Sequence, residues 1–442
     1  MVFYRTSDGR RWEPLRPLVI REQAYQGLEA LSVRLLRLAV DACRRRASTL
    51  GELHRLLRYA HDLPLMDPNR PLIPEELTRY ARPDIMIEQG RPRFLELNNG
   101  TRLGGKMRVP RLAEAYARLC PDSGLRPPPS TVTARSAALA RTHQVNVERG
   151  SPSRVLIPTY RAIDRTGSLQ HGRDQTGDSL IMADARRMGF EGVQADLADL
   201  RLDSTGRLLA AGVSIDVVLI EWGASERIVD AGDGLAALRS AHRAGAVQLF
   251  PHPEAILVSS KIVLAWLHED CDAGVLTPVD RALVRTHVPW TGCLGLNPDP
   301  DADAKLLDVA VAERDRLVVK PAVKSGNYML FGRQIPQRDW LPTIVHAAAE
   351  SPLILQHRVE STRLAMPFYD RASRQQVIAH VPYVLSPLII DNVAASVGLR
   401  HTAPGVCGQD VAIYARGRWN TVLLAPNGPP ELDHDTAEPA GL

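Results

Sequence analysis

Apolar positions in the first part of the chain recur at spacings of three and four residues. This spacing puts apolar side chains on one face of a helix, so residues 19–46 and 48–60 are each predicted to form an amphipathic helix. A Pro-rich stretch, LPLMDPNRPLIP, and a short helical segment, EELTRYA, follow them. We therefore expect residues 1–80 to form a helical N-terminal region.

The next segment, RPDIMIEQGRPRFLELNNG (82–100), has the pattern of two short strands joined by a turn. A helix, RVPRLAEAYARL, and the Pro-rich stretch PDSGLRPPPS come after it. Residues 81–150 are therefore expected to form one segment that begins with a β-hairpin.

The register of this hairpin can be predicted from its turn. A three-residue loop at Gln89–Arg91, with its glycine in the left-handed conformation, would place Asp84 directly opposite Glu96. Because side chains alternate between the two faces of a strand, Glu96 and Asn98 would share one face with Phe94. The oxygen-bearing side chains would then converge.

From residue 151 the pattern changes to strands that alternate with helices. RVLIP, VSIDVVLIEWG and AVQLF are short apolar runs, with helical segments between them. This order is typical of a parallel sheet, so residues 151–255 are predicted to form a Rossmann-like layer. Because no GxGxxG motif follows the first strand, a nicotinamide enzyme has no support. Glu221 ends a buried strand, where it either borders a ligand or caps the strand.

Residues 256–427 contain two further helices, a hairpin (RLVVKPAVKSGNYMLFGR), a strand (PLILQHRVE) and a β-rich end. We expect this region to form the remaining lobes of the protein. The polar, Pro-rich stretch 428–442 is predicted to be a disordered tail, because it has too few apolar residues to form a core.

Composition narrows the function classes. The chain has 442 residues, 45% hydrophobic and 24% charged, which is typical of a globular protein with more than one lobe. A net charge of +4 does not indicate a nucleic-acid partner. Arg44–Arg46 end a predicted helix. Because cations are favourable at a helix C-terminus, we interpret this run as helix capping rather than as a phosphate-binding patch. No signal segment or long apolar run is present, so we expect a cytoplasmic protein without a membrane partner.

Asp84, Glu96 and Asn98 occupy strand positions where Val or Ile would pack better. Unpaired carboxylates on a half-buried strand are unfavourable, and a divalent cation would remove that conflict. Two carboxylates, an amide carbonyl and water are ligands that Mg²⁺ prefers. These three residues are predicted to bind the metal. The alternative is an exposed hairpin whose polar side chains are solvated.

Lysine, whose ammonium group is a compact positive charge suited to a phosphate, is rare in this chain. Only five of the 54 basic residues are lysines, and Lys261 and Lys320 adjoin apolar elements. Small residues in AVKSGNYML would let backbone N–H groups cover a polyphosphate, but they also suit an ordinary turn. The strand LILQHRVE would be buried and would end beside a purine, where its backbone groups could bind the edge of an adenine. The residues assigned to nucleotide binding are Lys261, Lys320, Lys324, Ser325, Gly326, Gln356, His357 and Val359.

Together these motifs resemble the ATP-grasp superfamily, in the circularly permuted form found in the synthetase half of glutathionylspermidine synthetases. Arg82-Pro83-Asp84 and Glu96-Leu97-Asn98 match that family's Arg-x-Asp strand and the Glu-x-Asn strand that follows it. In the permuted order this metal hairpin precedes the nucleotide-binding lysines. LFPHPEAILVSSKIVLAWL, LVVKPAVKSGNYMLFGR, LILQHRVE and SVGLRHT resemble later parts of the family.

The resemblance implies an α/β fold with α+β lobes: an ATP-grasp fold, a Rossmann-like preATP-grasp layer and a helical N-terminal region. It implies ATP and Mg²⁺ as cofactors. Asp84, Glu96 and Asn98 would bind the metal, and Arg82 and Arg400 would be catalytic residues that stabilise the transferred phosphoryl group and a later oxyanion.

The activity implied is an ADP-forming carboxylate–amine ligase that works through an acyl phosphate. Its partners would be a small-molecule carboxylate and an amine, and the family habit is a homodimer. The loop VKSGNYM and His401 depart from the family pattern, which bears on the substrate. Two alternatives remain: a small-molecule kinase on the same fold, and a non-catalytic ATP-binding protein.

Overall fold

The computed structural model describes most of the chain. The residues outside the description are 1–3, 6–9, 60–62, 102, 145–152, 164–167, 172–182, 184–185, 188, 223–226, 297–299, 323–328, 402–417 and 427–442. The predicted disordered tail lies outside the described residues. Within the described chain, the elements form a mixed α/β fold, as the sequence predicted.

Helices and strands alternate irregularly along the described chain. The helices with defined bounds are α1 (Glu22–Arg46), α2 (Leu50–Leu56), α3 (Pro74–Thr78), α4 (Arg108–Leu119), α5 (Thr131–Gln144), α6 (Gly234–Arg243), α7 (Ile262–Asp272), α8 (Pro278–His287), α9 (Pro300–Ala312) and α10 (Gln337–Glu350). The strands are β1 (Tyr4–Arg5), β2 (Arg11–Pro14), β3 (Leu18–Arg21), β4 (Tyr80–Glu88), β5 (Arg91–Asn99), β6 (Arg154–Thr159), β7 (Arg161–Ile163), β8 (Leu169–His171), β9 (Glu191–Asp196), β10 (Arg201–Leu202), β11 (Leu208–Ala210), β12 (Val213–Ser214), β13 (Val217–Leu219), β14 (Arg227–Val229), β15 (Gln248–Phe250), β16 (Thr291–Leu294), β17 (Leu317–Pro321), β18 (Leu330–Phe331), β19 (Leu353–His357), β20 (Arg363–Asp370), β21 (Gln375–Ile390), β22 (Val393–His401) and β23 (Arg418–Ala425).

The largest sheet runs in the order β1-β2-β20-β21-β22-β23-β3. Strand β21 is 16 residues long: its first half pairs with β20, and its second half pairs with both β22 and β4. Strand β4 also pairs with β5. The early hairpin is therefore joined to a sheet built mainly from the end of the chain.

In the described part of residues 1–80, strands β1, β2 and β3 accompany the predicted helices. Strand β2 pairs with β20, and β3 pairs in parallel with β23. Because β3 takes Leu18–Arg21, the helix expected from residue 19 begins at Glu22. The partners of these strands lie at the other end of the chain, so local periodicity could not reveal them.

Helices α1 and α7 pack on one another in the main core. Helix α7 begins with the apolar run IVLAWL and is buried on nearly every side. Arg45 and Arg46, at the end of α1, both pair with the carboxylate of Asp270 in α7. The basic run therefore serves this helix contact.

Four smaller sheets accompany the largest one in the described chain, and two of them, β10-β11-β12 and β14-β7-β8, have three short strands each. The parallel sheet β15-β13-β6-β9 forms the Rossmann-like layer that the sequence predicted. The sheet β16-β19-β17-β18 is antiparallel and packs with α9 and α10 around Trp340. Among the described helices, none combines the length and the apolar character needed to cross a membrane.

Candidate active site

Strands β4 and β5 place Asp84 directly opposite Glu96, as the sequence predicted, but the loop length and the register that produce this pair differ from the prediction. The loop contains only Gln89 and Gly90, both with positive φ, as a tight hairpin turn requires. A shift in register then leaves Leu95 as an extra residue in β5. The shorter loop and this bulge compensate for one another, which restores the expected pair.

The bulge changes which side chains share a face of the hairpin. Phe94 packs with Leu97 in the main core, so the prediction that it shares a face with Glu96 and Asn98 was wrong. Leu95 packs in a separate small apolar cluster. The alternation on which the prediction rested fails wherever a strand carries an extra residue.

Asp84 is completely buried and surrounded by donors. Arg82 donates to both carboxylate oxygens, at 3.2 and 3.3 Å, and Ser386 Oγ donates to Oδ1 at 2.7 Å. Arg400 Nη2 lies 2.6 Å from Oδ2. Burial alone would raise the pKa of Asp84, but Arg400 and then Arg82 outweigh it and hold this pKa well below its usual range. Asp84 is therefore ionised at neutral pH.

Asn98 links the two carboxylates. Its Nδ2 lies 3.3 Å from Asp84 Oδ2 and 3.4 Å from Glu96 Oε1. Glu96 Oε2 in turn lies 3.2 Å from Nζ of Lys261, which immediately precedes α7. The structure therefore brings together all three predicted metal ligands and one predicted phosphate-binding lysine.

Lys320 is nearly buried, and its ammonium group donates to Gln356 Oε1 at 2.7 Å. The amide of Gln356 donates to Thr291 Oγ1 at 3.1 Å and to the carbonyl of Leu95, the bulge residue, at 3.4 Å. Burial lowers the pKa of Lys320 to about 8, although the charge of Glu96 opposes this shift. The side chain of Gln356 thus orients a lysine, and its contact with a nucleotide stays a prediction.

His357 and Val359 follow Gln356 at the end of β19. His357 Nε2 lies 2.6 Å from an oxygen of Glu313, and its ring lies 5.2 Å from that of Trp290. Val359 packs in the small apolar cluster that includes Val384. The predicted contact of this segment with a purine stays a prediction.

Lys324, Ser325 and Gly326, which were assigned to the phosphate-covering turn, lie outside the described residues. The strands on either side of that turn are β17 and β18, and they pair antiparallel. The hairpin that the sequence predicted here is therefore present.

Sequence reasoning missed two residues of this site, one that contacts Asp84 and one that contacts its two arginines. Ser386 sits in the apolar run VLSPLII, and a single polar residue in such a run is a usable signal. Trp419 pairs with Arg400 across β22 and β23. No sequence pattern indicated Trp419, because its partner Arg400 lies on a different strand and local periodicity does not link the two.

Glu221 belongs to a second charged cluster. Lys106 and Arg135 both pair with its carboxylate. Burial would raise the pKa of Glu221, but Arg135 and then Lys106 bring it to about 2. The carboxylate thus has two protein cations as partners, and the alternative that it borders a ligand stays a prediction.

The donor set around Asp84 fits a small, hard cation. Both carboxylates accept a hydrogen bond from Nδ2 of Asn98, and the two carboxylates together with the amide oxygen of the same Asn98 side chain are oxygen ligands of the kind that Mg²⁺ prefers. No cluster of three or more His, Cys, Asp or Glu in the described part of the chain could hold a metal. An ion here would therefore depend on the amide of Asn98 as well as on the carboxylates.

A comparison with solved structures identifies similar folds. The apo structure of a glutathione synthetase-like effector from Globodera pallida matches with a TM-score of 0.51 and 12% identity, over 96% of this chain and 92% of that chain. D-alanyl-alanine synthetase A from Vibrio cholerae matches with a TM-score of 0.33 and 16% identity, over 65% and 78%. The second score is too low to support an inference.

The first match, together with the mixed α/β architecture, shows that the chain has an ATP-grasp-like fold. This confirms the predicted fold class. No protein-family model matches the sequence, and no curated protein matches it.

Proposed function

We propose that the protein is an ATP-dependent carboxylate–amine ligase that forms an amide or peptide bond and releases ADP and phosphate. The observation that carries this proposal is the meeting of Asp84, Glu96 and Asn98 beside Lys261 within an ATP-grasp-like fold. Oxygen donors and cations so close together suit a metal-bound polyphosphate better than they suit an apolar ligand.

The charges of the site favour an anionic ligand. Its cations outnumber its carboxylates by two, counting both arginines and both lysines against Asp84 and Glu96. The cations are Arg82, Arg400, Lys261 and Lys320. A surplus of positive charge in a largely buried site is unfavourable until an anion enters, and a nucleotide polyphosphate would supply that anion.

Mg²⁺, when bound by Asp84, Glu96 and Asn98, would neutralise charge on the β- and γ-phosphates. The residues of the chain have their own tasks. Lys261 and Lys320 would hold the phosphate oxygens in place. Phosphoryl transfer needs positioning and charge neutralisation more than covalent help from the protein, so no nucleophilic side chain is required.

Arg82 and Arg400 would act on the transferred group. A carboxylate oxygen of the first substrate takes the γ-phosphoryl group, which gives an acyl phosphate and ADP. The amine nitrogen of the second substrate then attacks the acyl carbon, and phosphate leaves. Two guanidinium groups beside this carbon would stabilise the charge that develops on the phosphoryl and carbonyl oxygens.

The order of the site residues along the chain supports the permuted form of the fold. The hairpin with the metal ligands comes first, and Lys261 and Lys320 follow it. Residues from both ends of the chain still meet, because β4 pairs with β21. This is the arrangement expected if the metal hairpin was moved ahead of the nucleotide-binding strands.

Hydroxylamine trapping with the full chain tests the reaction class. The protein is incubated with Mg²⁺, ATP and a panel of amino-acid, peptide and other carboxylates, first alone and then with amines, and ADP release is recorded. A ligase yields a hydroxamate from its carboxylate substrate when hydroxylamine replaces the amine. Phosphorylation of a hydroxyl group without hydroxamate would indicate a kinase. ATP binding without ADP release across the panel would indicate a non-catalytic protein.

A further inference from the structure

Trp419 lies next to both arginines of the proposed active site. The guanidinium carbon of Arg400 is 5.1 Å from the centroid of its indole ring, and that of Arg82 is 5.4 Å away. Both distances are within the range of a cation–π interaction, for which tryptophan is the best partner among the aromatic side chains. One indole therefore contacts two cations that come from separate strands.

The same two guanidinium groups share a carboxylate. Arg82 and Arg400 both contact Asp84, which is buried. If Asp84 were their only support, any ligand that engaged this carboxylate would release both guanidinium groups. The indole of Trp419 is a second support that does not depend on Asp84.

The backbone around the indole is shaped to admit it. Added Cβ atoms at Gly104 and Gly105 would lie 3.3 and 3.1 Å from the ring of Trp419, and one at Gly398 would overlap the ring. Gly104 also accepts a hydrogen bond from Arg82 Nη1 through its carbonyl, at 3.3 Å. Three glycines from two separate regions of the chain thus leave room for one ring at the arginine pair.

We propose that Trp419 is a positioning residue, which keeps Arg82 and Arg400 in place while Asp84 exchanges them for another partner. The consequence for catalysis depends on the proposed ligase function. Under that function Asp84 turns to the metal, and the indole holds the two guanidinium groups where the phosphoryl group and the oxyanion develop. The effect of Trp419 then falls on the chemical step more than on ATP binding.

Substitution of Trp419 by Leu and by Phe separates positioning from simple packing. We expect Trp419→Leu to lower kcat by about tenfold with a small change in the KM for ATP, because the arginines act on the transition state. Trp419→Phe keeps an aromatic ring beside the arginines and should therefore retain most of the wild-type kcat. Equal loss in both variants, or a loss confined to KM, would overturn the proposal.

Trp12→Leu is the matched control. Trp12 is partly buried and packs against Phe368 in the large sheet, and its substitution removes a ring of the same size as that of Trp419. We expect Trp12→Leu to lower the midpoint of unfolding while kcat stays within about twofold of the wild type. A loss of kcat in this control equal to that in Trp419→Leu would mean that the effect is one of general destabilisation.

A double-mutant cycle tests the contact whether or not the protein is a ligase. Arg400→Lys keeps the positive charge beside Asp84 but loses the planar group that stacks on the indole. The midpoint of urea unfolding is measured for this variant, for Trp419→Leu and for the double variant. If the indole supports the guanidinium, the double variant shifts by less than the sum of the single shifts. Additive shifts would overturn the positioning role, while missing turnover with non-additive shifts would count against the ligase function alone.

Discussion

The ammonium group of Lys320 and the amide oxygen of Gln356 form a 2.7 Å hydrogen bond in the interior, where both side chains are almost fully buried. The same amide donates to the hydroxyl of Thr291 and to the carbonyl of Leu95. The bulge of the β4–β5 hairpin is thereby tied to a phosphate-binding candidate in another sheet.

Gln356→Leu should destabilise the protein and lower the pKa of Lys320 further. The substitution removes the acceptor of a buried ammonium group and leaves the hydroxyl of Thr291 and the carbonyl of Leu95 without their donor. The expected cost is about 1–3 kcal/mol in the free energy of unfolding, measured in urea. Gln356→Glu is the matched variant, because its carboxylate should raise the pKa of Lys320. Shifts of that pKa in the same direction in both variants would contradict the assignment.

The pH dependence of stability should reveal Lys320. Its pKa falls from 10.5 to about 8 in the folded chain, mainly because the side chain is buried. Between these two values the unfolded chain binds a proton that the folded chain has released, so stability should rise as pH rises through this range. Lys320→Met, which cannot titrate, should remove this increment. Wild type and variant are compared by urea unfolding from pH 7.5 to 10.5, and parallel curves would contradict the depressed pKa.

Glu96→Gln should abolish Mg²⁺-dependent ADP release, with a loss of at least about 100-fold, while the fold is retained. The amide has nearly the shape of the carboxylate, so the contact with Asn98 is kept while the charge that faces Lys261 is lost. Glu114→Gln, on the exposed side of α4, is the control and should turn over normally. Turnover by Glu96→Gln at the wild-type rate would remove Glu96 from the metal site.

Glu254 should make the protein less stable as pH rises from 4.5 to 7. The side chain is buried, and burial raises its pKa to about 7. In this range the folded chain holds a proton that the unfolded chain has lost, so ionisation costs stability. The backbone N–H of Glu254 itself and then Arg70 oppose this shift, and Glu76 adds to it.

Glu254→Gln cannot ionise and is the variant that isolates this effect. It should flatten the decline and unfold at a higher urea concentration than the wild type at pH 7.5. The midpoints of both proteins are measured at pH 5, 6 and 7.5. A difference between them that does not change with pH would show that Glu254 does not titrate in this range.

The local elements of the proposed active site could be predicted from sequence because their patterns are short-ranged. The alternation of Asp84, Glu96 and Asn98 with apolar residues predicted a hairpin and the pair that crosses it. The bulge at Leu95 could not be predicted, because an extra residue leaves no mark on the composition of a strand. The predicted loop was one residue too long, and the bulge was not predicted. These two errors cancelled at Asp84, so its pairing with Glu96 was correct, but Phe94 was assigned to the wrong face of the hairpin.

The surroundings of these residues depended on long-range pairing. Ser386 reaches Asp84 from 302 positions along the chain, Arg400 reaches it from a later strand of the same sheet, and Trp419 packs on Arg400 from the strand after that. The strands β2 and β3 likewise find partners near the end of the chain. No sequence period spans such distances.

The amino-acid sequence by itself determined the types of element, the parallel layer and the chemistry of the oxygen and ammonium groups, because each follows from residues within a few positions of one another. Only the tertiary structure decided that Asp84 is shared by two arginines and that Gln356 orients Lys320. These contacts exist because packing of the sheets removes the side chains from water, so that each buried charge must find its partner wherever the fold has placed one.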